Sequence, residues 1–141
     1  MILLDTNVVS ELMKSVPAPI VLAWIDAKPG AELFVSAITQ AEILYGVALL
    51  PAGKRRAGLA HAAQLAFETH FFGRVLPFDS PAAEAFAELA ADRRQSGRPI
   101  AQADAQIAAI ARSRGATLAT RNVPDFEGCG VDVVNPWVAQ L

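Results

Sequence analysis

Five short apolar runs recur along this chain of 141 residues, and segments of helical length separate most of them. The runs cover residues 2–4, 33–35, 75–76, 117–119 and 131–134, and Asp132 interrupts the last of them. A short continuous apolar run is typical of a strand that is buried on both faces of a parallel sheet. Strands that alternate with helices favour a parallel sheet covered by helices on both faces. We therefore predict one α/β domain over residues 1–141, with a parallel central sheet of four or five short strands.

Turn and cap residues set the limits of the predicted helices. Ser80 precedes Pro81, which is the order of an N-cap and a proline at the first helical position. Thr39 and Glu42 have the spacing of a capping box. A short helix is predicted around Trp24. Another begins at Ser36 or Thr39 and ends at about residue 50. The remaining helices are predicted over about residues 8–14, 54–72, 80–95 and 100–113.

Composition excludes several classes of protein. Hydrophobic residues make up 53% of the chain and charged residues 18%, so a long disordered tail is not expected. The net charge of −2 gives no global attraction to nucleic acid, and contacts with phosphate must come from local cations. Cys129 is the single cysteine, which fits a reducing cytoplasm. No signal peptide and no apolar run of bilayer length is evident, so we expect no membrane association.

Four acidic residues stand where a parallel sheet brings side chains to one edge: Asp5, Glu42, Asp104 and Asp125. Asp5 directly follows the first strand, and sites in such sheets form beyond the carboxyl ends of the strands. Carboxylates are rarely buried unless they are paired or bind a metal. A cluster of them without matching cations indicates a site for a hard ion such as Mg²⁺ or Mn²⁺.

Asp104 gives the strongest single signal among the four. It shares a helical face with Ile100, Ile107 and Ala108, which predicts a position facing the core. The helix dipole stabilises a carboxylate in the first turn by about 0.3–1 kcal/mol. Burying an unpaired charge costs several kcal/mol, so a bound cation is the simpler explanation.

Each of the other acids also has a purely structural interpretation. Asp5 has the position of a cap for the next helix, and Asp125 that of a solvated loop residue. Glu42 has the spacing of a capping-box residue, but its face-mates Tyr45 and Leu49 predict that it points inward.

Further residues are candidates for support of the site or for contact with substrate. Thr6 adjoins Asp5, Asn122 follows the fourth strand, and Arg121 is the cation beside the site loop. The remaining basic clusters are candidates for contact with RNA phosphates, and each also has an interpretation as a solvated face: 54–56, 93–94 with Arg98, and Arg112 with Arg114. The two histidines fall outside the acidic set and are predicted to be surface or structural residues.

The chain resembles the PIN-domain family, specifically the toxin ribonucleases of VapBC-type and FitAB-type toxin–antitoxin pairs. The ordered segments that carry the resemblance are LLDTN (3–7), SAITQAE (36–42), LPFD (76–79), ADAQIAA (103–109), ATRNVPDF (119–126) and NPW (135–137). By this resemblance Asp5, Glu42 and Asp104 match the three core metal-site acids. The fourth acid stands in the family either at the position of Asn122 or three residues later, and we predict Asp125.

The resemblance implies a Mg²⁺-dependent endoribonuclease, with Mn²⁺ as an alternative ion, that acts as the toxin of a type II toxin–antitoxin system. It also implies a small antitoxin partner, a homodimer, and contact with operator DNA only through the antitoxin. Apolar residues of the N-terminal half are candidates for such interfaces, although core packing explains them equally well: Leu12, Met13, Trp24 and Ile25.

Other functions fit the sequence less well. A phosphoacceptor signalling domain needs paired acids after strand one and a lysine after strand five, but no lysine follows Lys54. A phosphatase with an aspartyl nucleophile would prefer an aspartate at position 7, where Asn7 stands. A PIN-like binding module that is catalytically weak or inactive, acting with an antitoxin on operator DNA, stays open because Asn122 departs from the acidic pattern.

Overall fold

The central sheet has five parallel strands in the order β3-β2-β1-β4-β5, in a computed structural model that describes residues 1–138. The strands are β1 (Ile2–Leu4), β2 (Leu33–Ser36), β3 (Val75–Leu76), β4 (Thr117–Ala119) and β5 (Val133–Val134). The predicted fold class is confirmed, although β5 is two residues shorter than its apolar run. The predicted extent of the domain, residues 1–141, stays a prediction, since residues 139–141 lie outside the described residues.

Six α-helices connect and cover these strands. They are α1 (Thr6–Leu12), α2 (Pro19–Asp26), α3 (Ala37–Ala48), α4 (Lys54–Leu65), α5 (Ser80–Gln95) and α6 (Gln102–Arg114). The predicted helix over 54–72 is in fact α4 followed by a π-helical turn, Ala66–His70. Two 3-10 helices complete the described chain, Gly30–Glu32 and Val123–Phe126.

Of the predicted helix caps, Ser36 is confirmed, whereas the Thr39–Glu42 capping box and the cap at Ser80 are wrong. The N-cap of α3 is Ser36, whose hydroxyl accepts a hydrogen bond from Thr39 N at 3.0 Å, so no Thr39–Glu42 capping box forms. The N-cap of α5 is Asp79, one residue before the predicted serine, and its carboxylate accepts from Ala82 N at 3.1 Å. At α5 a carboxylate one place earlier satisfies the free amides of the first turn as well as the predicted serine would, which is why spacing alone does not fix the cap.

Helices cover both faces of the sheet, as predicted. One core lies mainly under α5 and α6 and includes Leu3, Leu89, Ile107, Ile110, Leu118 and Phe126. The other lies mainly under α1, α2 and α4 and includes Leu4, Val8, Trp24, Val35, Ala63 and Phe67. Strand β1 contributes Leu3 to one core and Leu4 to the other, because successive side chains of a strand point to opposite faces. The strand is therefore held from both sides just before Asp5.

The position of β1 at the centre of the sheet creates the crevice in which the site lies. The connections from β1 lead to β2 on one side and, later in the chain, to β4 on the other. Such a change of direction opens a crevice beyond the carboxyl ends of the central strands. The backbone amide of Asp5 donates to Ala119 O at 2.9 Å, which joins the ends of β1 and β4. Within residues 1–138 no helix is long and apolar enough to cross a bilayer.

Candidate active site

Asp5 lies at the floor of the crevice with both carboxylate oxygens hydrogen-bonded. Its residue surface is 4% exposed. Thr6 N donates to Oδ1 at 2.8 Å, and Thr120 Oγ1 donates to Oδ2 at 2.7 Å. Burial raises the pKa of Asp5, and the charges of Glu42 and Asp125 raise it further, although the two hydrogen bonds act in the opposite direction. Asp5 thus caps α1 and also belongs to the acidic cluster.

Thr120 is a residue of the site that the sequence interpretation missed. Its side chain is fully buried, and its hydroxyl accepts from Asn7 Nδ2 at 3.3 Å and from Asn122 N at 3.1 Å. Its own backbone amide donates to Val134 O at 2.9 Å, which fixes it at the end of β4. The available signal was its position as the polar residue that directly follows a buried strand, the same signal that identified Asp5.

Glu42 is exposed, so the prediction that it points inward is wrong. The buried face of α3 carries Thr39 and Ile43, whereas Tyr45 is 66% exposed. Thr6 Oγ1 donates to Glu42 Oε1 at 2.7 Å and lies 3.0 Å from Thr39 Oγ1. Since the Thr6 hydroxyl has one hydrogen and gives it to Glu42, Thr39 donates to Thr6. This relay holds Glu42 at the rim of the crevice.

Asp104 occupies the first turn of α6 and is half-buried at the edge of the predicted apolar stripe. Ile107 and Ala108 of that stripe are fully buried, so the predicted face is confirmed while the aspartate itself reaches solvent. Burial, followed by the charges of Asp5, Asp125 and Glu42, raises the pKa of Asp104 to about 6. Asp104 is therefore near enough to the other three acids for their charges to act on it.

Asn122 and Asp125 take different positions around the site. Asn122 lines the cavity, whereas Asp125 is exposed on the 3-10 helix Val123–Phe126. The charge of Asp125 nevertheless contributes to the raised pKa of both Asp5 and Asp104. Which of the two residues completes the site stays a prediction.

An open cavity of about 450 Å³ contains the site. Its lining comprises Asp5, Thr6, Asn7, Ser10, Glu11, Lys14, Glu42, Asp104, Arg121, Asn122 and Trp137. Five residues of the lining had not been assigned to the site from the sequence: Asn7, Ser10, Glu11, Lys14 and Trp137. Lys14 Nζ lies 3.0 Å from Glu11 Oε1, and this hydrogen bond is the main reason that the pKa of Glu11 is lowered. The lining thus combines unpaired acids with one internally neutralised pair.

The donor set fits a hard divalent cation. Within residues 1–138 none of the four acids forms an ion pair with lysine or arginine. No three potential ligands of that range already lie close enough together to hold an ion. Mg²⁺ does not require such a cage, because it keeps several waters and binds through one or two carboxylates. Asp5 and Asp104 are the carboxylates whose mutual repulsion a cation would relieve.

Arg121 is the predicted cation that does line the cavity. Its guanidinium carbon lies 5.0 Å from the ring centroid of Trp137, and its backbone amide donates to Asn7 Oδ1 at 3.3 Å. Other predicted RNA-binding arginines are engaged elsewhere: Arg112 pairs with Glu88 at 3.0 Å and Arg114 with Asp79 at 3.4 Å.

Three further predictions concern residues away from the cavity. Arg93 is buried and is therefore neither part of an RNA-binding face nor solvated. His61 and His70 are exposed and do not line the cavity, as predicted. The proposed interface residues pack in or against the second core, with Trp24 9% exposed and Leu12, Met13 and Ile25 partly buried, which favours the core-packing interpretation.

The fold and the cavity define an α/β protein with an acidic site at the carboxyl edge of a parallel sheet. Residues 2–125 match the family described as the PIN domain, and the chain belongs to that family. It is 47% identical over 137 residues to "VapC ribonuclease Y4jK" of Sinorhizobium fredii, covering 97% of this chain and 98% of that protein. It is 42% identical over 137 residues to "Toxin FitB" of Neisseria gonorrhoeae, covering 97% and 99%.

A solved structure of FitAB bound to a DNA fragment contains a chain of the same fold. The TM-score is 0.93 at 41% sequence identity, and the match covers 100% of this chain and 99% of that one. The predicted family resemblance is therefore confirmed over nearly the full length. These comparisons do not assign roles to individual residues, so the site residues remain predictions.

Proposed function

We propose that this protein is a metal-dependent endoribonuclease and the toxin of a type II toxin–antitoxin pair. The observation that carries the proposal is the group of acids at one sheet edge, in which Asp5 and Asp104 both have a raised pKa. Neither carboxylate has a neutralising lysine or arginine among residues 1–138. Relatives that match the chain along almost its whole length carry the names ribonuclease and toxin.

Asp5, Glu42 and Asp104 are the proposed acids of the metal site, where one or two of their carboxylates together with water would hold Mg²⁺, with Mn²⁺ as the alternative ion. When bound, the ion supplies Lewis acidity that activates a water molecule and stabilises charge on the phosphate oxygens. The chain supplies orientation: Thr6 and Thr120 fix the two oxygens of Asp5, and Thr6 also holds Glu42. Because water is the nucleophile, the products would carry a 5′-phosphate and a 3′-hydroxyl.

The remaining site residues have proposed roles around the scissile phosphate. Arg121 offers a planar guanidinium to a phosphate of the RNA, since arginine donors match phosphate geometry. Asp125 is the fourth acid, which adds negative charge beside Asp5 and Asp104. Asn122 contacts substrate or water without adding charge.

The proposed partners are an antitoxin, a second copy of this chain and, through the antitoxin, operator DNA. A complex of FitAB with DNA contains the structurally similar chain. On this protein, Leu44, Tyr45 and Leu49 of helix α3 and its C-cap leave 46%, 66% and 66% of their surfaces exposed. Adjacent exposed apolar side chains are typical of protein interfaces. The lone Cys129 agrees with a cytoplasmic location, where its RNA substrate is found.

The test is cleavage of a mixed RNA pool by antitoxin-free protein, with Mg²⁺, with Mn²⁺ and with a chelator. Asp5→Asn and Asp104→Asn should abolish cleavage, while Asp26→Asn, the same change on the exposed end of α2, should leave it intact. Cleavage that survives both cavity variants or the chelator would contradict the proposal. Absence of cleavage by folded wild-type protein would favour the inactive binding module instead.

A further inference from the structure

Arg93, near the C-terminal end of α5, is a buried arginine that the proposed reaction leaves unexplained. Its residue surface is 7% exposed, although arginine is almost never buried without a partner. Its donors reach the loop that carries Asp125. We propose that Arg93 is a positioning residue, which sets the backbone of this loop so that Asp125 lies beside the other acids. The inference rests on the proposed function and adds a residue to its machinery.

The contacts of Arg93 are mainly backbone carbonyls, two of them in the loop that carries Asp125, and its Nη1 also lies 3.5 Å from Cys129 Sγ. Nη1 donates to Asp125 O at 2.8 Å and to Glu127 O at 3.0 Å, and Nε donates to Arg98 O at 2.7 Å. None of these acceptors is a carboxylate. A buried cation that depends on neutral dipoles is tolerated only where several of them are well placed. The loop and the guanidinium therefore determine each other's position.

Arg98 holds the same loop from its outer side. Its Nη1 lies 3.2 Å from Glu127 Oε2, and its Nη2 donates to Pro124 O at 3.4 Å. Phe126 is 1% exposed and anchors the loop in the core under α5 and α6. The residues on either side of Asp125 are thus fixed, and Asp125 lies between them.

The carboxylate of Asp125 has no support of its own. Within residues 1–138 it accepts no hydrogen bond and forms no ion pair, in contrast to Asp5 and Glu42. Its distance from Asp5 and Asp104 consequently depends on the backbone, which Arg93 holds through Asp125 O. Loss of Arg93 should act on the site through Asp125 and through no other acid.

A double-mutant cycle tests this dependence. Arg93→Gln and Asp125→Asn are made separately and together, with Arg94→Gln as a control that makes the same change at the exposed neighbouring position. Cleavage by Arg93→Gln should fall roughly 10- to 100-fold, because displacement of a site group by about 1 Å has effects of this size. The double variant should cleave as slowly as Asp125→Asn alone. Arg94 is a candidate RNA-binding cation that does not line the cavity, so Arg94→Gln should keep the wild-type affinity for Mn²⁺.

Mn²⁺ affinity, measured by electron paramagnetic resonance, gives a readout that does not require turnover. Arg93→Gln and Asp125→Asn should weaken Mn²⁺ binding by similar factors, and the double variant should bind no more weakly than either. If wild-type protein binds Mn²⁺ but cleaves no RNA, the proposed function fails, while this cycle still decides the role of Arg93.

Losses that multiply in the double variant, in cleavage and in Mn²⁺ affinity, would overturn the proposal, because they would mean that Arg93 acts independently of Asp125. Wild-type behaviour of Arg93→Gln would overturn it as well. If Arg93→Gln does not fold, the exposed Arg98→Gln takes its place, since it removes the outer contacts with the same loop. Arg98→Gln should then lower the affinity for Mn²⁺ when Asp125 is present. When it is combined with Asp125→Asn, it should cause no further loss of affinity. An equal loss in both backgrounds would overturn the proposal.

Discussion

The Thr120 hydroxyl donates its single hydrogen to Asp5 Oδ2 at 2.7 Å, and both residues are buried. The oxygen of the Thr120 hydroxyl also accepts hydrogen bonds from Asn7 Nδ2 and Asn122 N. One hydroxyl therefore connects the acid at the end of β1 with the loop that follows β4. A partner of this kind orients a metal-binding carboxylate and holds it in its charged form.

Replacement of Thr120 by valine should weaken binding of Mn²⁺ and lower stability together. Asp5 would lose one of its two donors, and two amide groups would lose their acceptor. Loss of such an outer partner lowers metal affinity by roughly 10- to 100-fold, and unsatisfied buried groups cost about 1–3 kcal/mol. Calorimetric titration with Mn²⁺ and chemical unfolding measure the two effects. Thr120→Ser keeps the hydroxyl and should retain most of both, so equal losses in the two variants would contradict this explanation.

Binding of the divalent ion should weaken as the pH falls below about 6. The pKa of Asp104 is raised to about 6 by burial and then by the charges of Asp5, Asp125 and Glu42, so protons compete with the ion in this range. Affinity should fall by roughly tenfold per pH unit where one proton must be displaced. Titrations with Mn²⁺ between pH 5 and pH 8 measure the slope. A wild-type slope near zero across pH 6 would contradict the raised pKa.

Asp104→Asn should stabilise the metal-free protein at neutral pH. Because the folded-state pKa lies above the ordinary value of 3.8, the folded protein binds more protons than the unfolded chain between about pH 4 and pH 6. Wild-type stability therefore falls as the pH rises through this window, and the loss is complete above it. Two pKa units correspond to about 2.7 kcal/mol, which solvent screening of this half-buried group reduces to about 1 kcal/mol.

Urea unfolding with a chelator at pH 4 and pH 7.5 measures this difference. The variant should exceed the wild type at pH 7.5 and approach it at pH 4. Asp92→Asn, the same change at an exposed position of α5, serves as the control and should give no such pH-dependent gain. A variant that is less stable than the wild type at pH 7.5 would show that Asp104 stabilises the fold.

A homodimer should depend on the exposed apolar side chains of helix α3 and its C-cap. Leu49→Asp would place a charge in an interface formed there and should shift the protein to monomer, as measured by light scattering during size-exclusion chromatography. Val16→Asp is the control, because Val16 is 83% exposed and belongs to the loop before α2 rather than to α3. Dissociation by both variants, or by neither, would place the dimer contact elsewhere.

The sequence predicts the strands and Asp5 well because both depend on local patterns. A buried run followed by an acid is readable without knowledge of the remaining chain. The prediction that Glu42 points inward was wrong because apolar neighbours on a helix indicate burial only when another part of the protein covers that face. Tyr45, one of these neighbours, is exposed. Thr120 donates to Asp5, which is 115 positions away along the chain, and Arg93 donates to Asp125, which is 32 positions away. Contacts of this range are set by the tertiary fold, so no periodicity in the sequence reveals them.

Arg121 should contribute to RNA binding more than to the chemical step. Its guanidinium lies over Trp137 at the cavity wall, where a cation–π contact holds the planar group in place. Arg121→Gln should raise the KM for a single-stranded RNA substrate with a smaller effect on kcat. If Arg121 contacts one phosphate, the salt dependence of binding should lose about 0.7 from its logarithmic slope. Lys28→Gln is the control, because it removes a cation that lies over the ring of Trp24 outside the cavity. A fall in kcat at unchanged KM and unchanged salt slope would instead mean that Arg121 acts on the transition state.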